Sequence, residues 1–207
     1  MLVLHYTGMR TGAEAIARLR DPAAKVSSHY VVEEDGRIFR LVPETRRAAH
    51  AGVSHWRGHA ALNARSVGIE IVNPGHEWGY RDFPALQMAA VCELCIDILG
   101  RHPIPPRNVV GHSDIAPDRK QDPGELFDWQ GLAANGVGLW PQPNPASPPA
   151  EQTLPLLGAI GYRTDLPLAV LVTAFQRHWL QGRADGIADA ETRARIAAVA
   201  AACARQV

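Results

Sequence analysis

Residues 109–124, VVGHSDIAPDRKQDPG, run from an apolar strand end into a polar loop crowded with possible ligands. Val109 and Val110 carry the β-branched signature of a strand, and Gly111 interrupts it just before His112. A proline-punctuated loop then presents Lys120 and Asp122 ahead of Pro123 and Gly124. An imidazole and a carboxylate at this spacing do not share a helical face, but a loop that folds back brings them to one ion. Catalytic zinc takes three protein ligands from His, Asp, Glu or Cys and keeps a fourth position for water. Two candidates stand here, and a third has to come from elsewhere in the chain.

Outside this stretch, the strand pattern recurs four times. Leu2, Val3 and Leu4 lead to His5, after which Tyr6, Thr7 and Gly8 break the run, which places His5 at a strand's mouth. Residues 28–32 and 38–42 flank the turn Glu34, Asp35, Gly36 and read as a hairpin. VGIEIV at 67–72 is a strand with one discordant member, Glu70, whose ionised carboxylate is costly to bury unpaired. Such a group sits in polar company at a strand end or has its pKa altered for work. Residues 13–19 predict a helix stopped by Pro22. A longer helix runs from Asp82 and Pro84 to about Leu99, before Gly100 and Pro103, and a shorter one lies near 126–135.

Residues 43–66 follow neither period and are rich in His, Arg, Gly and Trp, so they read as a long surface excursion. Loops of that length are usually functional or disordered, and His50, Trp56 and Arg57 favour the functional reading. His55 and His59 have the i, i+4 spacing of a zinc-binding helix, yet Trp56 replaces the required Glu and Gly58 disfavours a helix. They are not expected to bind metal.

Five prolines within residues 141–149 mark a semi-rigid linker. Beyond it, Leu168, Leu171 or Val172, Phe175 and Trp179 follow the helical period. So do Thr192, Ile196, Val199 and Cys203, with Asp189 placed as an N-cap. With the apolar stretch 154–160 they make a small three-helix unit. The expected organisation is a catalytic domain over 1–140, a linker over 141–150 and a helical domain over 151–207.

Composition narrows the partners. Lys plus Arg and Asp plus Glu both number 21, with no basic block, so nucleic acid is not an expected partner. No apolar run approaches the roughly 18–20 residues that span a bilayer, and the start LVLH lacks the charged and apolar regions of an export signal. Cys92, Cys95 and Cys203 are an odd number. The first two fall on the Met88, Val91, Leu99 face of the long helix and read as core.

Five segments, in order, resemble the zinc-dependent N-acetylmuramoyl-L-alanine amidases, the family that includes phage amidase-type lysozymes and peptidoglycan recognition proteins. They are LHYT around His5, SSHYVV around His29, AAHAGVSHWRG around His50, SVGIEIVN around Glu70 and VVGHSDIAPDRKQDPG around His112. The resemblance implies an α/β fold, a mixed central β-sheet flanked by helices, which agrees with the element order above. It implies one zinc ion on His5, His112 and Asp122, a catalytic Glu70 and a catalytic Lys120. His29, Tyr30, His50, Trp56 and Arg57 become candidates for the substrate groove. LGAIGY, AFQRHW and DGIADAETRARI resemble the small helical peptidoglycan-binding domain.

The implied activity is hydrolysis of the amide joining N-acetylmuramic acid to L-alanine, in peptidoglycan or muropeptides, by a monomer. The alternative is a non-catalytic peptidoglycan recognition protein, which the full set of ligands plus Glu70 disfavours. A wall-binding domain suits the cell envelope and the missing export signal suits the cytoplasm, so the compartment stays open.

Overall fold

The computed structural model describes residues 1–143 and 146–205. Its frame is a five-stranded sheet. In chain order the N-terminal part contains β1 (Leu2–Tyr6), α1 (Gly12–Arg20), β2 (Tyr30–Val32), β3 (Ile38–Arg40), β4 (His55–Trp56), β5 (His59–Ala60), β6 (Val67–Ile71), α2 (Gly75–Trp78), α3 (Ala85–Arg101), β7 (Val109–Gly111), α4 (His112–Ile115) and α5 (Trp129–Ala134). The strands lie in the order β3-β2-β6-β1-β7. β1 is parallel to β6 and β7, β2 is parallel to β6, and β2 and β3 form the antiparallel hairpin expected around Glu34. The sheet is therefore mixed, as the resemblance implied.

Alternation along the central strands sorts the two faces. Leu2, Leu4, Val67, Ile69 and Ile71 bury one face in a cluster with Val91, Leu94, Cys95 and Ile98 of α3. Cys95 is thus a core residue, and all three cysteines are free thiols. Val3 and His5 point to the opposite face, as do their β6 register partners Gly68 and Glu70. A hydrophobic stripe packs the sheet from behind, and the front keeps the imidazole and the carboxylate.

The excursion 43–66 covers that front face. Its turn at Arg57 and Gly58, both with positive φ, closes a two-residue hairpin between β4 and β5. His55 and His59 are therefore strand residues, with no helix to align them. Leu62 and Ala51, both fully buried, anchor the excursion to the front core.

The C-terminal region folds as α6 (Thr153–Ile160), α7 (Leu168–Trp179) and α8 (Ala190–Ala204). Asp189 caps α8 by accepting from the Thr192 N–H, as read from sequence. Residues 144–145 of the proline-rich linker lie outside the described residues. The core of the three helices is continuous with the front face of the sheet. Leu157, Ile160, Leu171, Phe175 and Val199 share one hydrophobic cluster with Val3, Trp56, Leu62, Val110 and Ile115. Each such fully buried side chain contributes about 1.5–3 kcal/mol, so a joint core holds the helical unit against the sheet.

Candidate active site

His5 ends the buried part of β1, and its register partner on β6 is Glu70. The next strand, β7, delivers His112 directly after Gly111. The loop behind α4 returns so that the Ser113 N–H donates to the Asp122 carbonyl at 2.9 Å. His5, His112 and Asp122 thereby come together as a buried trio, each offering one ligand atom, all within 4.8 Å of one another. His5 Nδ1 lies 2.9 Å from His112 Nδ1, and Asp122 Oδ2 lies 3.0 Å from both.

The surrounding hydrogen bonds settle which ring nitrogens carry protons. Ser66 Oγ donates to the Leu62 carbonyl at 2.7 Å, so toward His50 Nε2, 3.1 Å away, it accepts. His50 Nδ1 is then the bare nitrogen and accepts from His5 Nε2 at 2.9 Å, which leaves His5 Nδ1 bare in turn. His112 Nε2 donates to the Ala51 carbonyl at 3.2 Å, and in the neutral ring its Nδ1 is also a lone pair. Burial lowers the His5 pKa to about 4, helped by neighbouring His112, and burial holds His50 well below the usual histidine range. Two imidazole nitrogens and one carboxylate oxygen thus converge on one point, a donor set that fits a divalent cation such as zinc.

Glu70 lines the cavity in front of this trio, a cleft of about 370 Å³ bordered also by Tyr6, His50, His76 and Lys120. Its Oε2 is buried and has no hydrogen-bond partner among the described residues. Burial, and then the Asp122 charge, push its pKa well above the normal range, with Lys120 opposing. An orphaned carboxylate oxygen beside a cation site is placed to take a proton. Lys120 shares the cavity wall.

The other residues expected at the groove are dispersed. His50 borders the cavity but stands behind His5 as its hydrogen-bond partner. Gly68 makes room for it, because a Cβ there would lie 2.4 Å from the His50 ring. His29 is buried under the sheet edge, bonding the Arg46 carbonyl and accepting from the Gly68 N–H. Tyr30 turns to the opposite face and donates to Glu44. Trp56 is buried edge-to-face on Tyr162, with ring centroids 5.1 Å apart, and Arg57 donates to the Ala159 and Ile160 carbonyls at the end of α6. These last two dock the C-terminal helices. In their place, a cluster not singled out in the sequence forms a wall of the cleft: His76 bonds Tyr6 and Glu125 and stacks on Tyr80 at 4.3 Å. Its only local signal is an imidazole following a Pro-Gly turn.

Comparison with known proteins now fits this geometry. The family profile described as N-acetylmuramoyl-L-alanine amidase matches residues 1–125, which carry all five residues of the trio, Glu70 and Lys120. The chain belongs to that amidase family. N-acetylmuramoyl-L-alanine amidase AmiD of Escherichia coli (strain K12) is 39% identical over 94% of this chain and 79% of its own length. The 1,6-anhydro-N-acetylmuramyl-L-alanine amidase AmpD of the same strain is 44% identical over 51% of this chain, an alignment spanning about half (55%) of AmpD. The structure of AmiD from E. coli in complex with the substrate anhydro-N-acetylmuramic acid-L-Ala-D-γ-Glu-L-Lys superposes with a TM-score of 0.86, covering 96% of this chain and 87% of that one at 38% identity. AmpDh3 from Pseudomonas aeruginosa gives 0.87, covering 96% and 90% at 35% identity. The amidase fold therefore extends here through the C-terminal helices.

Proposed function

We propose that this amidase hydrolyses the bond between N-acetylmuramic acid and L-alanine, acting as a monomer on peptidoglycan-derived substrate, with zinc held by His5, His112 and Asp122. The observation that carries the metal is the buried convergence of three ligand atoms, His5 Nδ1, His112 Nδ1 and Asp122 Oδ2, on one point. Held there, zinc would supply Lewis acidity, which polarises a carbonyl and makes water easier to deprotonate near neutral pH. The chain's own residues do the rest. Glu70 accepts the proton of the attacking water, and after the tetrahedral intermediate forms it returns that proton to the departing L-alanine amine. Its raised pKa suits both half-steps, because the protonated form is a usable acid. Lys120, on the same wall, stabilises the oxyanion of the intermediate.

Lys120→Ala is expected to lower kcat by about 10²- to 10³-fold, the usual cost of losing one oxyanion donor, with zinc content unchanged. Steady-state kinetics alongside metal analysis checks it. The reaction itself is tested by mass spectrometry of products from a muropeptide. Free muramic-acid glycan and a peptide starting at L-alanine are expected, lost with a chelator and restored by zinc. Cleavage inside the stem peptide, or none with zinc bound, overturns the assignment.

We further propose that residues 1–140 are the catalytic unit and 151–207 a peptidoglycan-binding-like unit, joined through 141–150. What supports this is the motif likeness of its three helices and the composition break at the linker.

A further inference from the structure

Asp114 lies two residues beyond the proposed ligand His112, on α4, and is almost completely buried. Its carboxylate has three donors. Oδ2 accepts from the Gly111 N–H at 2.7 Å, fixing the peptide that leads into His112. The other two donors come from the C-terminal helices: Tyr162, just past α6, donates to Oδ1 at 2.5 Å, and His178 on α7 donates from Nδ1 to Oδ2 at 2.7 Å. His178 is itself fixed, its ring stacked between Trp129 of α5 at 3.8 Å and Trp179 at 3.9 Å. Tyr162 packs edge-to-face on Trp56.

A carboxylate this deeply buried, with both oxygens bonded to groups held rigid by aromatic packing, has one allowed position. The Gly111–His112 backbone follows it. Gly111 has no slack on its other side, since a Cβ there would lie 2.8 Å from Pro123 Cδ in the loop that carries Asp122. The two donors, Tyr162 and His178, lie outside the residues that the family profile matches.

We propose that Tyr162 and His178 are positioning residues for the metal centre, acting through Asp114 to set the approach of His112, so that the C-terminal helices complete the site instead of only binding substrate or capping the fold. The inference rests on the zinc reading above. Groups that orient a metal ligand typically account for about 10- to 100-fold in metal affinity. A purely structural role gives a different result: it lowers the melting temperature of metal-free and zinc-loaded protein alike and leaves the affinity unchanged.

The test uses the full chain, with zinc affinity measured by competition with a chromophoric chelator and thermal unfolding recorded with and without zinc. Tyr162→Phe and His178→Leu are each expected to weaken zinc binding, together by about 10- to 100-fold, and to shrink the rise in melting temperature that zinc produces. His178→Asn, which keeps a donor close to the Nδ1 position, is expected to recover most of the loss. Should His178→Leu fail to fold, Tyr162→Phe, which removes a single hydroxyl, decides. Variants that fold and bind zinc like the wild type overturn the brace alone. Wild-type protein that takes up no zinc overturns the metal reading and the brace with it.

Discussion

Glu70→Ala is expected to keep its zinc and its fold while kcat falls by about 10²- to 10⁴-fold, the range for losing a general acid–base group. The geometry explains why the two properties separate. Glu70 is not among the three converging ligand atoms; it stands beside them, across the β1–β6 register from His5, with one carboxylate oxygen buried and unpartnered. Steady-state kinetics and metal analysis on the same preparation check it. Near-normal turnover contradicts the base assignment.

Glu70→Gln adds a test of pH dependence in the metal-free protein. The native Glu70 pKa is raised by burial and by Asp122. Below the unfolded value, about 4.3, both states hold the proton and folding pays no penalty. As pH rises above it the unfolded chain ionises while the native site resists, so wild-type stability falls until pH passes the native pKa. The Gln variant has no such loss. Its melting temperature is expected to exceed that of the wild type at neutral pH and to converge with it below about pH 4. The same substitution therefore removes turnover and stabilises the fold, as expected where a carboxylate is kept buried for catalysis.

His112→Ala is the second large effect. Removing one of three donors leaves His5 Nδ1 and Asp122 Oδ2 without the third corner of their site. It also frees the Ala51 carbonyl from its partner. Zinc affinity is expected to drop by more than the roughly 10- to 100-fold that a supporting residue typically costs, with activity lost in parallel. Equilibrium dialysis against buffered zinc measures it, and retained tight binding excludes His112 as a ligand.

The frame of the fold is legible in the chain because its elements are long and periodic. β1, β6, α3, α7 and α8 each repeat a pattern over enough residues to declare a buried face. The elements that escaped are short. α2 and α4 have four residues each, and β4 and β5 two each, too few for either period to register. At the site, the residue types of the trio and of Glu70 stand out locally, an imidazole at a strand mouth or a carboxylate in an apolar run. Trp56 and Arg57 pack against Tyr162 and the end of α6, a placement without a local signal, because an excursion rich in aromatic and basic groups looks the same whether it faces substrate or a helix about 100 residues later in the chain. Asp114 gave no signal at all, since its partners Tyr162 and His178 are 48 and 64 positions away.

One cation gripped by three side chains is the feature on which the activity depends, and anomalous diffraction from crystals grown with zinc, collected on both sides of the zinc edge, tests it most directly. One peak per chain is predicted, contacting His5 Nδ1, His112 Nδ1 and Asp122. A peak on other groups, or none at this trio in active protein, contradicts it.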